Sequence, residues 1–572
     1  MYDLTTGTWT LTPELERLIA EKKSANELQN RKHEDWDDNY TLYRNKVKTN
    51  RLTQRQAVNI PLMKETVKTL LSKIDDPPNV DWQEVSGDED KELIYQEVWN
   101  DNSRRNKLEL VDVLDKKNVL LYGIGTKKLN IAKDGVIADA LDVYDVTFDP
   151  LMKAGDVESA RFIIHQNIFK SVREILADDR YSKEGKDMLK QWINAPSGVT
   201  QSAENKEQYE KKMERMKAMG IDHGDFPLFA GGDRLINLTE HYYTYWNTKK
   251  KDWQRRVCVY ADNSVLLMNE SLYDLIGCDF WPFVVWSEDP ETNDLYPDSI
   301  ADLVRTPNKV LNVWFSQLIE NRTLKNFQMH WFLPTQGYTP QTYTPGQGMM
   351  LPAPPGDDIN KVIKPVDISG LDDTLEAINA VTQIVERGSG AVAIDKGQAE
   401  QGTQTLGEVQ ILVGKAMERT TAMAKFYRMA WYEYCWKWDK MMHANAPKFL
   451  KLYKKSRSGK LYPKRVYAGD WKSDMGYEPA ISSSSEQEAE TIKGIQKWLF
   501  AKSQFPGNPA IAKIAAKRIF EGLDVTPEEL KEIEEGEKQA QQAQLTQPEI
   551  APQPPSGMED MLAQSIAQAG SL

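Results

Sequence analysis

Residues 388–409 have the sequence GSGAVAIDKGQAEQGTQTLGEV, which interrupts two segments with helical apolar patterns. The stretch contains small residues, one short apolar group and a single lysine, Lys396. Thr405 and Glu408 then form a T-x-x-E capping box, in which the threonine hydroxyl accepts from a first-turn amide and the glutamate reaches back to the cap. The pattern therefore predicts a loop followed by a helix that begins at a defined position.

The helix predicted after this loop is long. Apolar and aromatic residues recur at three- and four-residue spacing from Val409 to Met442, and no proline occurs before Pro447. At 1.5 Å per residue, a helix over 405–447 would be roughly 60 Å long, about twice the width of a small domain. Its aromatic residues lie on the apolar stripe, which favours a core or a subunit interface over stacking on nucleic-acid bases.

The composition indicates a folded protein. The chain has 572 residues, of which 40% are hydrophobic and 9% aromatic, enough for several packed domains. Three widely spaced cysteines argue against a disulfide framework and favour a reducing compartment. The N-terminal residues lack the pattern of a secretory signal, and no window reaches the roughly 18 consecutive apolar residues of a membrane span. We expect a soluble protein.

The net charge of −13 restricts the nucleic-acid functions that the chain can perform. It argues against tight, sequence-reading binding, because Lys and Arg side chains that neutralise phosphates supply most of that affinity. It is compatible with a protein that touches DNA without gripping it, since an acidic surface lets a polyanion slide.

The first 297 residues predict a mixture of helices and antiparallel strands. Helices are expected at 14–35 and 61–74, followed by one or two over 90–123. The apolar period then changes from four to two, and a hairpin that turns at Asp134-Gly135 begins a sheet. The strands expected after it are one at 160–169, a meander over 234–269 that turns at Asp262-Asn263, and a buried one at 279–287.

A pair of helices is predicted before the loop. Thr306-Pro307 is expected to provide the N-cap and first-turn proline of a helix at 308–325, and Ser369 to cap a second helix at 370–387. Each would have 18 residues and a length of roughly 27 Å. Equal lengths suggest an antiparallel pair that carries the Pro- and Gly-rich segment 326–368 at its tip.

The last part of the chain is expected to contain short strands over 448–481 and helices over 482–538. Residues 539–572 are rich in Gln and Pro, which predicts a flexible tail. Together, the patterns along the chain predict an α+β fold that is mainly helical.

Catalytic motifs are not apparent. The chain lacks the G-x-x-x-x-G-K-[ST] spacing of a P-loop, and Gly123-Ile124-Gly125 is better explained as a sheet feature than as a dinucleotide site. The six histidines are scattered, without zinc-ligand spacing. Asp145 and Asp149 could form a carboxylate pair, but a turn at Asp149-Pro150 explains them more simply. We expect no catalytic residues, no metal and no cofactor.

The order of these elements resembles the portal proteins of tailed double-stranded DNA phages, over about residues 40–535. Members of that family form rings, typically of twelve subunits, at one vertex of the capsid. The spacing of the shared segments carries the resemblance; they are YTLYRNKVKT (40–49), YGIGTKK (122–128) with DVYDVTFDP (142–150), PDSIADLVRTPNKVLNVWFSQLIEN (297–321), GTQTLGEV (402–409) and MGYEPAISSSSEQEAETIKGIQKWLF (475–500).

The resemblance implies a division of the chain into the parts of a portal subunit. The insertion at 197–233 and the C-terminal tail are not shared with the family pattern. The implied parts are a wing (1–297), a first stem helix (298–325), a clip (326–368), a second stem helix (369–387), a tunnel loop (388–404), a spine helix (405–447), wing strands (448–481), a helical crown (482–538) and the tail (539–572).

The resemblance also implies functional residues. Those of the tunnel loop that would contact DNA are Gly390, Lys396, Gly397 and Gln398. Those of the clip that would contact the terminase or an adaptor are Tyr338, Tyr343, Gln347 and Lys361. Those of the stem that would form the ring interface are Trp314, Leu318, Arg322, Leu375 and Ile378.

The implied function is a homo-oligomeric channel through which the terminase large subunit packages double-stranded DNA and through which the DNA is later ejected. The implied partners are head-tail adaptor or tail proteins and the major capsid and scaffolding proteins, with no membrane. The implied location is the virion, and the host cytoplasm during assembly.

Three alternatives remain open from the sequence. The first is a head-tail adaptor or other structural ring protein that does not contact DNA. The second is a nuclease or protease of the packaging machinery that uses Asp145 and Asp149. The third is a helical scaffold unrelated to phages, which would be a monomer or a dimer.

Overall fold

The computed structural model describes residues 12–46, 58–74, 79–132, 135–194, 235–292, 294–326, 374–389, 406–455 and 461–482, the short strands at 2–3, 8–9, 330–332 and 363–365, and positions 210 and 214. These residues all belong to one compact unit, Met1–Ser483. The crown and tail expected after residue 482 lie outside the described residues, as does nearly all of the 197–233 insertion.

Helices and strands are interspersed along the described residues. The helices are α1 (Pro13–Tyr43), α2 (Leu62–Lys73), α3 (Glu89–Arg105), α4 (Leu108–Tyr122), α5 (Val172–Ala177), α6 (Lys183–Asn194), α7 (Leu272–Ile276), α8 (Ile300–Asn326), α9 (Thr374–Ser389), α10 (Leu406–Ala444) and α11 (Ala468–Trp471). The strands are β1 (Tyr2–Asp3), β2 (Thr8–Trp9), β3 (Asn79–Glu84), β4 (Gly125–Ala132), β5 (Gly135–Ala140), β6 (Val146–Phe148), β7 (Phe162–Ser171), β8 (Leu235–Asn247), β9 (Asp252–Ala261), β10 (Val265–Ser271), β11 (Phe283–Trp286), β12 (His330–Phe332), β13 (Ile363–Pro365), β14 (Phe449–Lys455), β15 (Leu461–Tyr467) and β16 (Tyr477–Ser482).

The largest sheet in the described part of the chain has five antiparallel strands in the order β10-β9-β8-β7-β6. It contains the predicted meander and the predicted strand at 160–169. Asp262 and Asn263 have φ angles of 50° and 53° between β9 and β10. Two successive left-handed residues give the backbone twist that suits a tight hairpin. The predicted meander and its turn at Asp262-Asn263 are therefore confirmed.

A second sheet, in the order β11-β4-β5, contains the hairpin predicted after residue 123. All four residues of β11 are buried, as expected for the strand at 279–287. Gly123 ends α4 with a φ of 83°, and Gly125 begins β4 where an added Cβ would lie 2.7 Å from Asp115 Oδ1. The two glycines therefore serve the helix-to-strand turn, in agreement with the structural interpretation of this motif.

The first helix of the predicted stem pair begins earlier than the sequence suggested. α8 starts at Ile300, so Pro307 lies inside the helix and Thr306 is not its N-cap. Ser299 takes the capping role, because its hydroxyl accepts from the Asp302 amide at 3.2 Å and its own amide donates to the Asp302 carboxylate at 2.8 Å. The prediction of a cap at Thr306-Pro307 is therefore wrong.

Tertiary contacts explain why α8 continues through proline. A proline inside a helix removes one backbone hydrogen bond and costs about 3 kcal/mol. Beyond Pro307, three polar residues at four-residue spacing face the segment that leads into α2. Asn308, Asn312 and Ser316 accept from backbone amides within 58–63 at 2.9, 2.7 and 3.1 Å. The buried side chains of the added first turn are Ile300, Ala301 and Val304.

α10 lies at the centre of the core. It has 39 residues, and at 1.5 Å per residue its length is roughly 60 Å, as predicted. Thr405, the predicted cap, lies outside the described residues. The aromatic side chains of α10 that are at most 2% exposed are Tyr427, Trp431, Tyr434 and Trp438. They pack against α3 and β3, with ring-centroid distances of 4.7 Å from Trp438 to Trp99 and 5.6 Å from Trp438 to Trp82. The core interpretation of these aromatic residues is confirmed.

We predict that Gly123→Ala destabilises the protein by more than Gly87→Ala. Both glycines have a φ of 83°, so each substitution adds the same left-handed strain of about 1–2 kcal/mol. A Cβ at residue 123 would also lie 2.1 Å from the Pro297 carbonyl oxygen, whereas a Cβ at residue 87 meets nothing within 4 Å. Urea unfolding of both variants measures the difference, and equal losses would contradict the role assigned to Gly123.

Candidate functional site

The two predicted stem helices form an antiparallel hairpin. A Cβ added at Gly388, near the end of α9, would lie 3.1 Å from Leu303 Cδ2, near the start of α8. At the other end, β12 follows α8 and pairs antiparallel with β13, which precedes α9. The predicted pairing is therefore confirmed, and two short paired strands lie within the segment 326–368 that connects the helices. The first helix is longer than the predicted 18 residues, because α8 has 27 residues; the described part of α9 has 16.

The predicted ring-interface residues take different positions on this hairpin. Trp314 and Ile378 are partly buried against the main core, whereas Leu375 and Arg322 are exposed and Leu318 is half-buried. The hairpin also exposes apolar side chains that the sequence interpretation did not single out, namely Leu303, Val313, Leu324 and Ile384. A rod in a monomeric protein would present mostly polar residues at such positions.

The other predicted functional residues lie outside the described residues. They are the loop residues Gly390, Lys396, Gly397 and Gln398 and the clip residues Tyr338, Tyr343, Gln347 and Lys361. What the structure gives for the loop is its two attachment points, the end of α9 at Ser389 and the start of α10 at Leu406.

A buried ionic cluster holds α10 against α4 and β4. Lys127 Nζ lies 2.9 Å from Asp112 Oδ1 and 3.3 Å from Asp115 Oδ2, and Lys116 Nζ lies 2.9 Å from Asp112 Oδ2. The four side chains are at most 3% exposed. Two carboxylates and two ammonium groups balance in charge, which is the arrangement that a low-dielectric interior tolerates.

Aromatic side chains of α10 complete this cluster. Tyr427 donates its hydroxyl hydrogen to Asp112, and Trp431 Nε1 donates to Asp112 Oδ1 at 3.1 Å. Lys127 Nζ also lies 4.9 Å from the Trp431 ring centroid, and Lys116 Nζ lies 4.4 Å from that of Tyr427. Since cations are attracted to aromatic faces, the two lysines bind α10 as well as the carboxylates of α4.

The pKa shifts in the cluster follow from burial and charge. Burial alone would raise the pKa of Asp112, but Lys127 and Lys116 attract its charge more strongly, so its pKa lies below the ordinary value. Burial alone would lower the pKa of Lys127, yet Asp112 and Asp115 hold it above the ordinary value. Burial raises the pKa of Asp115, and Lys127 and Trp286 offset only part of that rise. The Asp112–Lys127 pair is therefore ionised at neutral pH.

Two further buried polar contacts fix the second half of α10. Lys437 Nζ donates to the Phe283 carbonyl of β11 at 2.6 Å and lies 2.9 Å from Glu158 Oε1. Tyr95 of α3 donates to Asp439 Oδ1 at 2.5 Å. α10 is thus attached to α3 and β11 as well as to α4. It cannot slide along them without breaking buried hydrogen bonds.

The candidate carboxylate pair has structural partners. Asp149 is buried and accepts from Arg161 Nε at 2.6 Å and Arg161 Nη2 at 2.7 Å, and from the Leu151 amide at 3.0 Å. Burial would raise the pKa of Asp149, but these hydrogen bonds lower it below the ordinary value. Asp145 accepts from Asn167 Nδ2 at 3.0 Å. These contacts agree with the turn interpretation of Asp149-Pro150.

Other groups give no sign of a reactive centre in the described part of the chain. The three cysteines are buried free thiols. Among the described residues, no three His, Cys, Asp or Glu side chains are grouped so that they could hold a metal ion. None of the helices described combines the length and the apolar character that crossing a membrane requires.

Comparison with protein families finds a match over most of the chain. A family model described as the phage SU10 portal protein matches residues 19–568, nearly the whole chain. This chain belongs to the phage portal protein family. The portal resemblance inferred from the sequence is therefore confirmed. No curated protein matches the chain.

Membership of the portal family gives the hairpin and the long helix a context. Portal proteins are structural proteins of the phage particle, and the mixture of helices and strands described above fits the family's α+β character.

The buried cluster at Asp112 and Lys127 had no sequence signal, since charged residues on a helix and a strand usually face solvent.

We predict that Asp112→Ala lowers the free energy of unfolding by about 3–5 kcal/mol, because it leaves two buried lysines without their shared carboxylate. Glu109→Ala on the same helix is the matched control; Glu109 is exposed, and its loss should change stability by about 0.5 kcal/mol or less. Chemical denaturation measures both. Similar effects of the two substitutions would show that the cluster does not stabilise α10.

Proposed function

We propose that this portal protein forms a ring-shaped channel at the unique vertex of the capsid. Double-stranded DNA enters through the channel during packaging by the terminase and leaves through it at ejection, and the tail attaches to the same ring. The observation that carries the proposal is the portal-family match over 19–568, nearly the full length of the chain.

The geometry of the described residues supports this function. α9 ends at Ser389 and α10 begins at Leu406, so the segment between them is attached to two helices at both ends. The second half of α10 is held by the buried contacts of Asp112, Lys437 and Asp439. The helix that follows the segment is thus anchored in the core, which supports the proposed arrangement.

The proposed mechanism is passive. The ATPase that moves the DNA is the separate terminase, which docks on the clip through residues such as Tyr338, Tyr343, Gln347 and Lys361. Lys396 approaches the phosphates, and Gly390, Gly397 and Gln398 allow the loop to follow the moving duplex. One positive charge per subunit on an otherwise acidic ring gives many weak, salt-screened contacts instead of one strong contact. Such contacts let the cargo move.

Ring formation accounts for the apolar surface of the stem hairpin. A closed ring of one chain type uses heterologous contacts, in which one face of each subunit meets a different face of the next. Exposed Leu375 and Ile384 on α9, and Leu303, Val313 and Leu324 on α8, would be covered by neighbouring subunits. Exposed apolar residues in such numbers usually mark an interaction surface.

The further partners follow from the position of a portal at the vertex. The wing would contact the major capsid protein and, during assembly in the host cytoplasm, the scaffolding protein. Head-tail adaptor or tail proteins would bind at the clip after the terminase has left.

We predict that the purified full-length chain forms rings with a central opening, typically of twelve subunits. Negative-stain images and mass photometry measure this directly, because a single copy has a mass of 65.4 kDa. A compact single particle without an opening would overturn the proposed function.

We predict that Lys396→Glu reduces the yield of filled capsids by about tenfold, because it replaces attraction to phosphate by repulsion in every subunit. The matched control is Lys249→Glu, a charge reversal at an exposed lysine in the turn between β8 and β9. The readout is the amount and length of nuclease-protected DNA in an assembly system. If Lys396→Glu and Lys249→Glu package equally, the loop lysine does not contact DNA.

A further inference from the structure

α10 has a second face that the protein core does not use. From residue 422 to residue 444, its exposed positions follow a single helical row, Ala422, Lys425, Met429, Tyr432, Trp436, Lys440 and Ala444. None of these seven exposed residues is acidic. The three large apolar members, Met429, Tyr432 and Trp436, are between 40% and 68% exposed. We call this row the α10 stripe.

Contacts among the described residues leave most of the α10 stripe uncovered. Tyr432 donates to Glu478 Oε2 at 3.1 Å, and the Trp436 ring lies 5.3 Å from that of Phe280. Met429 is the most exposed of the three. The solvent face of a core helix normally carries polar and charged residues, so a row of Met, Tyr and Trp between two lysines indicates a surface that another molecule covers.

A second apolar surface lies on α3 and α4. Its large members, Leu93, Leu110, Val113 and Leu114, are between 40% and 65% exposed. Acidic residues accompany them, since Glu89, Asp90 and Glu109 are also exposed. The segment 88–97 as a whole has five carboxylates and one lysine. We call the four apolar residues Leu93, Leu110, Val113 and Leu114, together with the acidic residues Glu89, Asp90 and Glu109, the α3–α4 outer face.

The two surfaces point in opposite directions. α3 and α4 both pack on the buried face of α10, because Trp99 contacts Trp438 and Asp112 accepts from Trp431. A residue two positions away on a helix lies about 200° around the axis. Tyr432 is therefore opposite the buried Tyr434, and the α10 stripe faces away from α3 and α4.

The same geometry applies to the partner helices. Leu110 and Leu114 are each two positions, about 160–200°, from Asp112, whose carboxylate points at α10. Leu93 is two positions from Tyr95, which donates to Asp439 of α10. Leu93, Leu110 and Leu114 of the α3–α4 outer face thus lie on the far side of this helical layer from the α10 stripe.

We propose that the α10 stripe of one copy packs against the α3–α4 outer face of a neighbouring copy, so that subunits join head to tail. The charges match on α3, since lysines flank the α10 stripe and the segment 88–97 has five carboxylates and one lysine. On α4, exposed Glu109 is balanced by exposed Lys107. A two-fold pairing of each surface with itself would place like charges together, which is unfavourable. Complementary surfaces on opposite sides of a subunit are what a closed ring requires. The inference rests on the proposed ring and names the contact that closes it.

The test uses one substitution in each surface of the full-length chain. Met429→Glu introduces a carboxylate opposite the acidic surface, and Leu110→Lys introduces a lysine opposite the basic stripe. Leu151→Glu is the control, because Leu151 is 73% exposed and belongs to neither surface. We expect each interface variant to raise the protein concentration at which half of the chains are in rings by at least about tenfold, and the control to leave it unchanged. Mass photometry measures this concentration, and thermal unfolding verifies that all variants fold.

A mixing experiment distinguishes a head-to-tail contact from other arrangements. Met429→Glu chains retain an intact α3–α4 outer face, and Leu110→Lys chains retain an intact α10 stripe. An equal mixture should therefore give complexes of two or more subunits, at multiples of the single-copy mass, that neither variant forms alone. Absence of such complexes from the mixture would overturn the inference.

The outcomes also separate this inference from the proposed function. If the natural chain forms rings and both interface variants assemble as it does, the contact is wrong and the portal ring stands. If Leu151→Glu weakens assembly as much as the interface variants, the effect is not specific to these surfaces and the contact is again wrong. If the natural chain forms no ring, the proposed function fails and the inference fails with it.

Discussion

The position of α10 depends on a buried, charge-balanced cluster. The Asp112 carboxylate forms ion pairs with Lys127 and Lys116 and accepts hydrogen bonds from Tyr427 and Trp431. All of these residues lie in the core. Taking these charges out of water is costly, and their mutual attraction repays the cost only when each hydrogen-bonding group has its partner. The cluster therefore permits one register of α10 against α4 and β4, whereas an apolar surface alone would tolerate small shifts.

This single register has consequences at both ends of the helix. Toward its C-terminus, Lys437 and Asp439 reach β11 and α3 and join the two halves of the chain into one core. Toward its N-terminus, α10 connects to α9 through the segment that contains Lys396. The buried hydrogen bonds therefore fix the helix to which that segment is attached, through residues far from the segment in sequence.

The sequence predicted the elements whose signals are local. The meander was predicted from period-two alternation and the Asp262-Asn263 turn. α10 was predicted from the three- and four-residue spacing of the apolar residues that are now buried in the core. Two features required tertiary information. α8 continues through Pro307 because Asn308, Asn312 and Ser316 bind the backbone before α2, and Ser299 supplies the cap. The buried Asp112–Lys127 pair was missed because sequence alone does not show which charges are enclosed. The contacts expected of Lys396 remain a prediction, since that residue lies outside the described part of the chain.

α10 has two faces with different tasks, and this explains its composition. The face with Tyr427, Trp431 and Trp438 builds the core, whereas the face with Met429 and Trp436 is free for a neighbour. A neighbour that packs on the second face would press directly on the helix that begins at Leu406, after the segment that contains Lys396. Any change in the spacing of subunits would then reach the loop through a rod that cannot slide in its own core. In the proposed ring, the spacing of subunits would therefore be coupled to the segment that we propose contacts DNA.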